Sequence, residues 1–135
     1  MNSILLALMM LCFFGITYGQ NDDFFKKYQW KNRVILLYSP STGQEMLRKQ
    51  QEILDEDEAA LKDRDLVVLH ITPESGNSFQ QIQSRYNLKD SFTFVLLGKD
   101  GGVKKQSEEL VSLEALFSLI DSMPMRQSEM RRKDQ

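Results

Sequence analysis

Apolar positions along this chain fall into two kinds, short continuous runs and pairs recurring at helical spacing, and the two alternate. The first run, Ile4 to Ile16, is nearly unbroken. It is shorter than the roughly 20 apolar residues that cross a bilayer, and Thr17-Tyr18-Gly19 follows it as a small-x-small cleavage site. The pattern predicts a signal peptide over residues 1–19, although Met1-Asn2-Ser3 offers no basic side chain. Cleavage after Gly19 predicts a secreted or periplasmic chain with no stable membrane insertion; an uncleaved anchor is the alternative. Residues 20–29 form a lead-in where Phe24 and Tyr28 have the i, i+4 spacing of a short amphipathic helix.

Arg33-Val-Ile-Leu-Leu-Tyr38 is aliphatic and too short for a helix, which predicts a buried strand. Ser39-Pro40-Ser41-Thr42-Gly43 breaks the run with turn residues. From Gln44 to about Lys62, Met46/Leu47, Ile53/Leu54 and Ala60/Leu61 predict one helix with a single apolar stripe. Its Asp55-Glu56-Asp57-Glu58 run lacks the alternating ligands and central glycine of a calcium loop, so it reads as a solvated face. Leu66–Ile71 is a second strand, stopped by Pro73. Ser78 to Tyr86 is a short helix that Ser75 or Asn77 would cap. Phe92–Leu97 is a third strand, and Gly98-Lys-Asp-Gly-Gly102 predicts a hairpin with Asp100-Gly101 in a type I′ turn. A short polar strand starts at Val103. Ser112 caps a last helix reaching Met123, Pro124 ends it, and Met125–Gln135 is a charged tail.

The order β-α-β-α-β-β-α gives two crossovers followed by a hairpin. The expected fold is α/β, a mixed four-stranded sheet in strand order 2-1-3-4 with helices on both faces. That is a thioredoxin-like arrangement, placed over residues 30–124 between the lead-in and the tail at 125–135.

Composition narrows the chemistry. At 135 residues there is room for one domain, and 41% hydrophobic with 27% charged residues suits an ordinary globular one. Lys+Arg number 17 against Asp+Glu 19, a net charge of −2 that argues against a generally basic nucleic-acid binder. One Cys and one His exclude a disulfide framework, a Cys/His zinc site and a dithiol motif, so no metal and no cofactor are expected. Cys12 lies inside the signal segment, after a Leu11 too large for a lipoprotein signal. Export would leave a thiol-free chain, for which no thiol oxidoreductase activity is expected.

Ser39, Ser41 and Thr42 fall where such a fold carries its chemistry, after the first strand and before a helix N-terminus that favours polar or anionic groups. A hydroxyl there is a poor nucleophile without a base, and the only imidazole is His70, near the end of the neighbouring strand. Helix capping by Ser41 or Thr42, and a hydrogen-bonded core or rim position for His70, are the plainer readings. In the tail, Arg126, Arg131, Arg132 and Lys133 face Glu129 and Asp134. They make either a polyanion-binding patch or a soluble helical end.

Tyr86-Asn-Leu-Lys-Asp-Ser-Phe-Thr-Phe-Val-Leu-Leu97 resembles the thioredoxin segment in which a cis-proline precedes the third strand. Phe92 falls at that proline's place and Thr93 follows it. Phe92 is then either a converted binding surface or a core aromatic. Leu97-Gly-Lys-Asp-Gly-Gly-Val-Lys104, with Leu116-Phe117, Ile120-Asp-Ser-Met-Pro-Met-Arg126 and Glu129-Met-Arg131, resembles the peroxiredoxin-like P-DUDES domain over about Trp30 to Arg132. That is a domain of unknown function, found in small secreted bacterial proteins and in animal sushi-repeat-containing proteins. The resemblance implies a thioredoxin-like fold and export, and it implies no reaction. Three functions follow as expectations. One is a non-catalytic module binding a protein or an envelope or matrix component through Ser39, Ser41, Thr42, His70, Phe92 and Thr93. The second is an enzyme with non-thiol chemistry at Ser39, Thr42 and His70. The third is a polyanion-binding envelope or stress protein.

Overall fold

Strand Arg33–Tyr38 (β1) is buried at every position, which places it at the centre of the sheet. Leu66–Ile71 (β2) pairs parallel with it from Arg33↔Leu66 to Tyr38↔Ile71. Thr93–Leu97 (β3) pairs antiparallel on the other side, and Val103–Ser107 (β4) pairs antiparallel with β3. This is a computed structural model describing residues 23–135; the signal-like segment with Cys12 and Gly19 lies outside the described residues. Among those residues, four strands form one sheet in the order β2-β1-β3-β4, as the alternation of elements predicts.

Alternation along β1 sends successive side chains to opposite faces. Ile35 and Leu37 join Phe94 and Leu96 in a core closed by Leu54 of Gln44–Asp55 (α2), Leu61 of Glu58–Asp63 (α3), and Leu116 and Ile120 of Leu113–Asp121 (α5). Val34, Leu36 and Tyr38 join Val95 and Leu97 beneath Phe24 and Phe25 of Asp23–Lys26 (α1) and Ile82 of Asn77–Arg85 (α4). Helices therefore cover both faces.

Several boundaries differ from the expected ones, each for a local reason. The helix predicted from Gln44 to Lys62 is two helices, because the Asp57 carboxylate accepts from the Ala60 N–H at 3.0 Å and starts α3 afresh. Neither Ser75 nor Asn77 caps α4: Gly76 stands at its N-cap, and Ser75 forms a reciprocal capping box with Thr72. Ser112 caps α5 as expected, accepting from Ala115 N–H at 3.2 Å. The hairpin is not type I′, since neither Lys99 nor Asp100 has positive φ. Gly101 alone does, at φ 84°, and its N–H bonds Gly98 O at 2.9 Å. A turn followed by one left-handed glycine suits the register shift at Leu96/Leu97. A Cβ on Gly101 would meet nothing closer than 3.8 Å, so Gly101→Ala costs backbone strain alone. We expect about 1–2 kcal/mol of lost stability in urea unfolding; an unchanged midpoint would show that the turn relaxes.

Pro124 ends α5 but also begins another helix, Pro124–Lys133 (α6), at the first helical position where its missing N–H is harmless. The segment expected as a charged tail is thus a helix packed back onto the domain. No helix among the described residues is long and apolar enough to cross a membrane.

Candidate functional site

The carboxyl ends of β1 and β2 and the amino end of β3 meet at one end of the sheet. Ser39 is buried there; its N–H bonds Ile71 O at 2.9 Å and its hydroxyl donates to Pro40 O at 3.0 Å. Ser41–Gly43 is one tight turn running into α2. Gly43 is needed because the turn lies directly on Phe92: a Cβ would stand 3.0 Å from Phe92 N and 3.2 Å from both Phe92 Cβ and Ser39 Oγ. Ser41 and Thr42 are exposed, and neither caps α2, whose N-cap is Gly43. The capping role expected of them is therefore not what the chain uses. Phe92 is 3% exposed and packs in the α2/α5 core, with every peptide bond among the described residues trans. It is a core aromatic. Thr93, also buried, donates its hydroxyl to Ser91 O at 3.3 Å and lines a shallow groove of about 230 Å³ with Asn87, Lys89, Gln106 and Glu108.

His70 is not part of this corner. It pairs with Leu37 in the sheet, is exposed on the α2 side, and its Nε2 lies 2.6 Å from Gln51 Oε1. Gln51 Nε2 donates in turn to Asp55 Oδ1 at 2.7 Å. The imidazole is thus tied to the middle of α2, and the hydroxyl of Ser39 turns to the Pro40 carbonyl. The structure brings Ser39, Gly43 and Phe92 together, and leaves His70 outside as a hydrogen-bonded rim histidine. No three His, Cys, Asp or Glu side chains among the described residues converge as a metal site requires.

The opposite end holds charges the sequence pattern does not reveal. Arg33, 1% exposed, makes a two-pronged pair with Glu129 at 3.1 and 3.2 Å and donates to Arg64 O at 3.0 Å. Lys99 Nζ reaches Glu129 at 2.6 Å and Asp65 at 2.8 Å. Arg126 joins Asp63 at 2.7 Å and Asp121 at 3.1 Å, Arg64 holds Asp121 at 2.8 Å, and Lys133 closes on Asp63. Arg126 is therefore a buried clamp rather than a surface cation for polyanions, because α6 packs its guanidinium against α3. Arg131 and Arg132 remain exposed and, among the described residues, bond only Ser128 within α6. Hydrogen bonds from Lys133 and Arg126 pull the Asp63 carboxyl down to about 2.

Residues 24–129 match the family described as "Domain of unknown function (DUF4174)". The chain belongs to that family. The two most specific pieces of the resemblance read from the sequence, Gly98–Lys104 and Met123–Arg126, lie at this charged pole of the DUF4174 domain, where Gly98, Lys99, Asp100, Lys104, Met123, Pro124 and Met125 line one cleft. No curated protein matches the chain. Among solved structures it is similar to a reduced 2-Cys peroxiredoxin of Plasmodium vivax, 17% identical with a TM-score of 0.58, over 76% of this chain and 83% of that one. It is also similar to an exposed lipoprotein thioredoxin of Streptococcus pneumoniae, 14% identical with a TM-score of 0.54, over 73% of this chain and 90% of that one. A thioredoxin from Thermus thermophilus is 16% identical with a TM-score of 0.51, over 72% and 78% respectively. At these identities the likeness establishes the fold: DUF4174 here is an α/β thioredoxin-like domain.

Proposed function

We propose that this protein is an exported, thiol-independent binding module, a thioredoxin-like scaffold that recognises a protein or an envelope component through the corner at Pro40–Gly43. The observation that supports it most is the content of that corner. Where a thioredoxin keeps its redox loop, this chain has a sealed turn: a buried serine hydroxyl bonded to the carbonyl of the next residue, and a glycine packed on a core phenylalanine. Residues 23–135 contain no cysteine. What the corner offers outward is Ser41 and Thr42, just before a twelve-residue helix. Such donors and acceptors suit recognition rather than nucleophilic chemistry, which needs a base within reach. Export, and kinship with the secreted P-DUDES domains, belong to the same reading and rest on the sequence of residues 1–19 and the motifs near the chain's end.

Ser41→Glu/Thr42→Glu alters only exposed side chains, so the variant keeps its fold. Captured from envelope or culture-fluid fractions at equal loading, the wild type is expected to enrich a partner that the double variant loses at least tenfold. Identical capture profiles for the two proteins would overturn the assignment of this corner.

A further inference from the structure

At the charged pole, the hairpin Gly98–Lys104 and the α5–α6 junction enclose a cleft of about 520 Å³. That is within the range of small-molecule sites, which combine apolar walls with a few placed polar groups. Leu119, Met123 and Met125 form the apolar wall, and Met125 is left 41% exposed. The cationic side chains lining it are Arg33, Lys99 and Lys104, against the single carboxylate of Asp100. Glu129 and Asp65 already pair with Arg33 and Lys99. Lys104 is different: its stem lies across Gly98, where a Cβ would come within 2.5 Å of Lys104 Cε. Among the described residues its ammonium meets only Asp100, at 3.0 Å, and the side chain as a whole is 34% exposed. The glycine thus makes room for a lysine laid along the cleft with donors to spare.

The surroundings of the same hairpin are unusual in a second respect. Trp30, the sole tryptophan, is 64% exposed with a left-handed backbone at φ 65°. Its N–H is held by Lys99 O at 2.6 Å. A bulky residue in that conformation is an outlier that persists only where neighbours over-determine it. Val103, at the hairpin's end, is also exposed. The hairpin therefore carries one exposed apolar side chain, Val103, and holds a second, Trp30, through its backbone.

We propose that the cleft binds a small organic anion with an apolar body, of the class of a medium-chain carboxylate. The head group meets Lys104 and the third donor of Lys99, and the body lies on Leu119, Met123 and Met125. Lys104, whose single carboxylate partner leaves it donors to spare, selects the charge, and the volume limits the occupant to a small molecule.

Calorimetric titration of the protein with sodium octanoate, below its micellar range, tests this. Saturable binding is expected, with octanol at least tenfold weaker and Lys104→Glu weakening octanoate at least tenfold. The Met125 methyl resonance, assigned through Met125→Leu, is expected to shift with the same saturation. Absence of saturable binding would overturn the proposal. So would equal affinity for octanol, which would mark adventitious apolar adsorption, or undiminished affinity in Lys104→Glu. Lys104 sits on the polar edge strand, and unchanged unfolding of the variant separates a lost ligand contact from a lost fold.

Discussion

Glu129→Ala is expected to lower the unfolding free energy by about 3–5 kcal/mol, the usual consequence of removing one partner of a buried ion pair. The Glu129 side chain is 12% exposed and accepts from Arg33 and Lys99, themselves 1% and 9% exposed. Without it Arg33 is a buried cation facing only backbone carbonyl, and α6 loses its link to the base of β1. The exposed Arg48–Glu52 pair makes the contrast, since such pairs contribute about 0–1 kcal/mol. Urea unfolding of Glu129→Ala beside Glu52→Ala gives the comparison; a Glu129 effect no larger than that of Glu52 would show that α6 docks by packing alone. The same network sets an acid limit. Burial pushes the Glu129 carboxyl up, but bonds and charge from Arg33 and Lys99 overcome that and hold it below its usual 4.5. Burial likewise opposes, and Arg64 and Arg126 reverse, the shift that leaves Asp121 below 3.8. Carboxyls lowered in the folded state stabilise it fully above their unfolded values and stop doing so as they protonate. Stability is thus expected to be level from pH 7 to about 5 and to fall toward pH 2, where Asp63 titrates. Glu129→Ala is expected to start lower and fall less steeply.

Gln50→Leu is expected to cost roughly 1–3 kcal/mol for each of the two buried backbone groups it orphans. Gln50 is 0% exposed; its Nε2 donates to Val111 O at 2.9 Å and its Oε1 accepts from Val111 N–H at 2.8 Å. This one side chain ties α2 to the segment that leads into α5. Leucine has the volume but offers neither bond, so the Val111 N–H and C=O would face an apolar core. Denaturant unfolding reads the loss, and amide exchange at Val111 is expected to quicken. A change below about 0.5 kcal/mol would mean that water reaches Val111 when the amide is gone.

Gln50 was open to detection in principle. It stands three residues after Leu47 and four before Leu54, on the apolar stripe itself, where a polar residue at helical spacing marks a buried hydrogen bond rather than a solvated face. Among Arg48, Lys49 and Gln51 it reads as surface. Arg33 misleads in the same way, as a charged first residue of a strand whose burial only its partner explains.

What sequence alone determined is whatever local pattern controls. The aliphatic runs at 33–38, 66–71 and 93–97 are strands because they are too short and too branched for helices, and chain connectivity then allows few sheet orders. The absence of cysteine from Ser39–Gly43 is equally a matter of reading letters. Tertiary structure decided where the charges go. The Arg33–Glu129 pair spans 96 positions, and no periodicity in a window of ten or twenty residues carries such information. Hence α6, which owes its place to ion pairs rather than to an apolar face, reads from the sequence as a charged tail. His70 was likewise settled by which face of β2 it occupies and by the nearest acceptor, Gln51, two facts that exist only once helix and sheet are packed.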